Sequence, residues 1–379
     1  MGGHPQPLRS GEDEAMALRS GNLARVILAK RFAESMLIVA IGYSLIACAG
    51  GNQGGGGGTP PPAGVLGQYG LTGDVQPVHD PSVIRQGNTY YVFGTDIGSP
   101  TDGSLLIRCS TNRLNWTLCG HVFDQIPTWV TSQVPGIVGL WAPDISYFNG
   151  LYHVYYAGST FGSNASVIGL ATNTTLDSSD PSYKWVDQGE VLGSSASEDF
   201  NAIDPNILVD SDGSVWLTYG SFWTGIKQRQ VDPTTGMLLV SNPSIYSLAT
   251  RPAVQWDPIE GSSLVHHGNY YYLFVSFDFC CQSNPYQNDY RIMVGRGNTP
   301  NGPFADMNGT PMMQGGGTQL LAGNGSTWNA PGGETAYLDP QQGDIIVFHA
   351  LHLPDGAPYL FVKSIAWDND WPVIQPGSP

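Results

Sequence analysis

Five acidic residues stand at matching places along this 379-residue chain: Asp80, Asp144, Asp204, Glu260 and Glu334. Each opens a short apolar stretch that runs into a turn and then a second apolar stretch. Asp80-Pro-Ser-Val-Ile leads to Gly87-Asn88, Asp144-Ile-Ser-Tyr-Phe to Asn149-Gly150, and Asp204-Pro-Asn-Ile-Leu to Asp212-Gly213. Glu260-Gly-Ser-Ser-Leu leads to Gly268-Asn269 and Glu334-Thr-Ala-Tyr-Leu to Gly343-Asp344. One Asp-Pro pair means little, because the same pair recurs at Asp180, Asp232, Asp257 and Asp339, where a turn accounts for it. An acid at the same place in all five copies is different, since neither capping nor turn formation asks for it. Carboxylates brought together cannot all ionise cheaply, so some of their pKa values must rise. A raised acid beside an ionised base is the pair that cleaves a glycosidic bond.

The elements that would position these acids follow from the spacing. The openings are separated by 64, 60, 56 and 74 residues. Gly-Asn, Asn-Gly and Asp-Gly favour the positive φ of tight hairpins, so each copy begins with two antiparallel strands. Third apolar runs follow at 105–107, 167–170, 292–294 and 359–362, and aromatics mark a fourth strand at Trp116, Trp185, Phe304 and Trp371. Four strands in about sixty residues make one propeller blade. The expected fold is all-β, a five-bladed β-propeller over residues 66–379, with all five strand heads gathered at one end of the axis. A β-sandwich has similar strands and turns but gives no reason for an acid at the head of every hairpin.

Composition agrees and narrows the partner. Charged residues are 12% of the chain, about half the usual share, against 49 Gly and 28 Pro. The formal charge of −16 repels nucleic acid and anionic membranes and leaves a neutral partner such as a polysaccharide. Lys30 and Arg31 precede an apolar run, Met36 to Ala47, that has the order of a secretory signal and is too short to span a bilayer. Residues 45–48, Leu-Ile-Ala-Cys, resemble a bacterial lipoprotein box, so Cys48 is expected to carry a lipid anchor on an exported, cell-surface or periplasm-facing protein. An ordinary signal peptide with a chance cysteine is the alternative. Residues 48–65 read as a Gly/Pro-rich tether. In an exported chain Cys109 and Cys119 can close one loop, and adjacent Cys280 and Cys281 can form a vicinal bond.

Several runs carry a resemblance: Val78-His-Asp-Pro-Ser, Leu140-Trp-Ala-Pro-Asp-Ile, Asn201-Ala-Ile-Asp-Pro-Asn, Gly220-Ser-Phe-Trp and Val294-Gly-Arg. In this order, with the paired cysteines and Gly315 to Gly317, they resemble the endo-α-1,5-L-arabinanases of glycoside hydrolase family 43 over nearly all of residues 70–375. The resemblance implies an inverting hydrolase of plant arabinan or arabino-oligosaccharide; a monomer is expected. Asp80 would be the general base that activates water, Glu260 the general acid, and Asp204 the carboxylate that raises and orients the acid. Trp141 and Phe161 would stack on furanose rings, Asn201, Ser221 and Trp223 would contact substrate, and Arg296 would lie near the acid. Asp144 would be structural, and Glu334 has no role by this comparison.

Two departures stand out. Many arabinanases read Ile-Glu-Ala-Pro at the acid, whereas this chain has Ile259-Glu-Gly-Ser, expected to loosen the strand that follows. Many also carry a Gly-His-Asn run whose His helps hold a metal on the propeller axis, and here the run is Ala330-Pro-Gly-Gly-Glu. No cofactor is required by the acid/base chemistry, and an axial metal is in doubt. Two further readings stay open: an exo-acting arabinofuranosidase or β-xylosidase on the same fold, and a non-catalytic glycan-binding lipoprotein.

Overall fold

The computed structural model describes residues 64–67, 69–98, 102–375 and 377. The expected signal, Cys48 and the glycine run lie outside the described residues. Among the described residues no helix is long and apolar enough to cross a membrane.

The strands form five sheets in sequence order around a ring. Their inner strands are Ser82–Gln86, Trp141–Phe148, Asn206–Val209, Ile259–His267 and Trp328–Tyr337, which head blades 1 to 5. In each blade the inner strand pairs antiparallel with the one after it through the predicted turn. The apolar core is divided into packets between neighbouring blades. Ile84, Phe93, Val154 and Tyr156 pack between blades 1 and 2, and Ile346, Phe348, Tyr272 and Phe274 between blades 5 and 4. Each such side chain, taken fully out of water, stabilises by about 1.5–3 kcal/mol.

A ring of side-chain to backbone bonds joins the inner strands. Ser82 Oγ accepts from Ile145 N, Asp144 Oδ2 from Ile207 N, Asn206 Oδ1 from Leu264 N, Ser263 Oγ from Ala336 N, and Tyr337 Oη from Arg85 N. Just above this ring the head of every blade has a left-handed residue: Asp80 (φ 44°), Ala142 (φ 41°), Asp204 (φ 55°), Gly261 (φ 59°) and Gly333 (φ 57°), with Ala330 (φ 50°) a second in blade 5. Such backbone is uncommon outside glycine and clusters at functional sites.

The ring is closed without a covalent link. Gly64–Val65, which the sequence reading leaves in the tether, pairs parallel with Leu321–Ala322 on the outer edge of blade 4. Thr72–Gly73 pairs parallel with Asn115–Trp116 on blade 1. Between them Tyr69 packs on Trp328, Tyr359 and Phe361 of blade 5 and donates its hydroxyl to Leu360 O at 2.9 Å. The outer strand of blade 4 is Thr318–Ala322, so Phe304 marks a buried loop residue and not a strand. Both expected disulfides are present, Cys109–Cys119 and Cys280–Cys281.

Candidate active site

Asp80 lies at the kink before the inner strand of blade 1. The hairpin register, which sets Ser82 opposite Phe93, carries Asp80 opposite Thr95, and Thr95 donates its hydroxyl to Asp80 Oδ2 at 2.7 Å. His79 Nδ1 meets the same oxygen at 2.8 Å, and its ring stacks on that of His349 with centroids 3.6 Å apart. Asp80 N donates to His349 Nδ1 at 3.2 Å. Burial by itself would raise the Asp80 carboxyl, but His79, His349 and the Thr95 bond together hold it down at about 2. His79 is raised because Asp80 overrides its burial, whereas burial and the His79 charge push His349 well below the usual imidazole range. Asp80 is therefore an ionised carboxylate beside a His79 whose pKa it raises, with the His349 ring stacked behind His79. A Cβ on Gly333 would stand 2.3 Å from Asp80 Oδ1 and 2.9 Å from His349 Nδ1. Glycine at 333 thus makes room for this arrangement.

Glu260 enters from blade 4 and is held by hydroxyls from two different loops. Ser221 donates to Oε2 at 2.5 Å, and Tyr290 donates to Oε1. Burial, with a further push from the Asp80 charge, raises Glu260 to about 7, against the Ser221 bond. The expected loosening after the acid is a bulge: the register shifts between Glu260 and Ser263, and left-handed Gly261 turns its N–H onto Asp204 Oδ2 at 3.1 Å. Asp204 is raised well above the ordinary carboxylate range by burial and by the charges of Glu260 and Asp80. Two buried carboxyls pressed together in this way do not both ionise near neutrality.

The five acids do not meet at one mouth as the spacing suggests. Asp144 is 3% exposed and works between blades, accepting from Ser82 Oγ, Asn206 Nδ2 and Ile207 N. Glu334 is 2% exposed and accepts from Ser276 Oγ at 2.7 Å, while its Oε1 is buried without a partner. It remains within electrostatic reach of Asp80 and Asp204, and burial raises it to about 8. Asp80, Asp204 and Glu260 are the three that the fold brings together.

The remaining candidates divide. Phe161 and Trp223 stand exposed on loops at the strand-head end, and Trp141 is half-buried one residue before Ala142, whose N–H donates to Thr95 Oγ1. Asn201 is buried, its side-chain oxygen taken by Ser166 Oγ at 2.7 Å. Ser221 is buried too and serves the acid directly. Arg296 is not near the acid. It pairs with Tyr272, four residues down the strand from Ser276, the partner of Glu260, and its guanidinium lies over the rings of Tyr270 and Trp371. Sequence reasoning missed Tyr290 and Ser276, which carry no motif, and Thr95, which the turn register could have supplied.

Among the described residues two groups of side chains lie close enough to hold a metal ion: His79 with Cys280 and Cys281, and His79 with Asp80 and His349. In the first the sulfurs are bonded to each other. In the second, His79 and Thr95 both bond Asp80 Oδ2, which leaves Asp80 Oδ1 together with the buried, unpartnered Nε2 of His349 as donors for a cation. To ligate, His349 would move its proton to Nδ1 and give up the bond from Asp80 N.

Residues 75–372 match the glycosyl hydrolases family 43. The extracellular endo-α-(1→5)-L-arabinanase 1 of Bacillus subtilis is 39% identical over 297 residues, covering 78% of this chain and 87% of that protein. The extracellular exo-α-(1→5)-L-arabinofuranosidase of Cellvibrio japonicus is 36% identical over 308 residues, covering 78% and 86%. Among solved structures, the family 43 endo-arabinanase of Bacillus licheniformis superposes with a TM-score of 0.72 at 39% identity, covering 81% of this chain and 100% of that one. With the propeller, the acid trio and these matches together, this chain belongs to glycosyl hydrolase family 43.

Proposed function

We propose that the protein is an exported arabinanase that cuts linear α-1,5-arabinan internally with inversion. The observation that carries the reading is the split between two carboxyls at one strand-head face, Asp80 held at about 2 and Glu260 raised to about 7. Between those values one is a base and the other an acid. Asp80 takes a proton from water as it attacks the anomeric carbon, Glu260 gives its proton to the departing oxygen, and Asp204, which holds the N–H of Gly261 beside the acid, orients Glu260. A cation at His349 would add positive charge beside Asp80, a role that His79 already fills. Named relatives that are extracellular, and a Cellvibrio cellulosa arabinanase solved with arabinohexaose, support export and the substrate class. Attachment through Cys48 is part of the same proposal.

Endo action needs room on both sides of the cut bond. A cavity of about 560 Å³ lies beside His79, between residues 281–285 and 351–358, with Ile97 on its rim. Space beyond the base favours a chain passing through over a walled pocket for one terminal sugar. Digestion of debranched arabinan with early products resolved tests this: mixed oligosaccharides are expected, and arabinose released alone would rule out the endo reading. Anomeric analysis of the first products should show β-configured ends, and α-configured ends would rule out inversion.

A further inference from the structure

Three loops lie beside Glu260, and each presents an aromatic ring. Phe222 follows Ser221 in the loop after the second strand of blade 3, and its N–H donates to Ile259 O at 3.0 Å, directly beside the acid. Trp256 lies in the crossing from blade 3 to blade 4 and is 38% exposed. Phe279 follows Asp278, whose N–H donates to Pro258 O at 3.0 Å. The rings touch in series, with centroids of Phe222 and Phe279 5.7 Å apart and those of Trp256 and Phe279 6.3 Å apart. Their backbone is held in an uncommon form, with φ of 55° at Phe222, 69° at Trp256 and 75° at Asp278. Three partly exposed aromatics, two on left-handed loop positions and the third directly after one, are expensive to build as packing and are what a ligand platform requires.

Resting on the arabinan reading, we propose that Phe222, Phe279 and Trp256 form a ledge that binds the leaving-group portion of the substrate. The direction follows from the chemistry. In an inverting cut, water enters from the Asp80 side and the departing oxygen faces Glu260, so the released sugars extend past the acid, over these rings. The apolar C–H faces of furanose residues are the surface such rings accept. Contacts made to the leaving group add to kcat/KM for substrates that possess those sugars and do nothing for one that lacks them.

The test compares arabinohexaose with a 2,4-dinitrophenyl glycoside of 1,5-arabinotriose, whose leaving group needs no proton and carries no sugar. Phe279→Ala and Trp256→Ala should each lower the ratio of kcat/KM for hexaose to kcat/KM for the aryl trioside by about tenfold. Phe279→Tyr should restore the ratio, and thermal melts confirm that each variant is folded. An unchanged ratio, whether both activities fall together or neither does, overturns the ledge and leaves the arabinan reading standing. Failure of the unmodified enzyme to cut arabinohexaose overturns that reading and the ledge with it.

Discussion

In blade 1 the left-handed residue at the head of the inner strand is Asp80; in blade 2 it is Ala142, and the acid, Asp144, comes two residues later. The backbone is the same at both heads. Two residues along a strand return a side chain to the same face about 6.6 Å further on, which carries Asp144 from the mouth down to the ring of inter-blade bonds. There it does what Ser82 and Asn206 do in their own blades. Blade 5 lies between these cases, with Gly333 at the kink and Glu334 one residue beyond it, buried against Ser276. A carboxyl placed at the kink can meet substrate, and one placed past it becomes part of the frame.

The sharpest way to break this contrast is to neutralise both kinds of acid without changing their shape. Asp80→Asn and Glu260→Gln should each lower kcat on arabinan by about 10²–10⁴ with little change in melting temperature. Asp144→Asn should leave kcat near that of the parent and lower stability by about 1–3 kcal/mol in urea melts, because its three donors lose their carboxylate. Turnover lost in Asp144→Asn without loss of stability would place that residue with the catalytic trio.

Glu334 offers a second separation, through pH. Its folded value of about 8 lies above the ordinary 4.5, so between those values the native chain binds the extra proton and stability falls as pH rises. The penalty is fully absent below about 4.5 and complete above about 8, on the order of 5 kcal/mol at about 1.36 kcal/mol per unit. Glu334→Gln mimics the protonated form and should flatten this part of the stability profile, read as melting temperature from pH 5 to 8.5. An unchanged slope would mean that Glu334 does not titrate there.

The smallest effect expected is on the acid itself. The unmodified enzyme should be active between a limb well below pH 4, from Asp80, and a limb near pH 7, from Glu260. Tyr290 donates to the charged form of Glu260, so Tyr290→Phe removes a bond that favours ionisation. The alkaline limb of kcat/KM should move to higher pH by less than about one unit, with kcat reduced. A shift to lower pH would show that Tyr290 favours the protonated acid instead.

Much of this was written in the chain. The five turns and the alternation before them call for five hairpins, and those hairpins are the inner halves of the blades. The misplacement of Asp144 was legible too: it stands five residues before Asn149, whereas Asp80 stands seven before Gly87 and Asp204 eight before Asp212. Ala142-Pro143 is the counterpart of Asp80-Pro81 and Asp204-Pro205. Arg296 was misread because Val-Gly-Arg marks a strand without telling how far from the strand-head end of the blade its arginine lies.

By itself, then, the sequence determined the repeat, the hairpin register and the residue at each kink, since these depend on neighbours a few positions apart. Tertiary structure decided which carboxyls ionise. Ser221 and Tyr290 reach Glu260 across 39 and 30 residues, and His349 reaches Asp80 across 269. A pKa is set by the charges, donors and water that surround a group in space. Ring closure brings those together, and no local pattern encodes them.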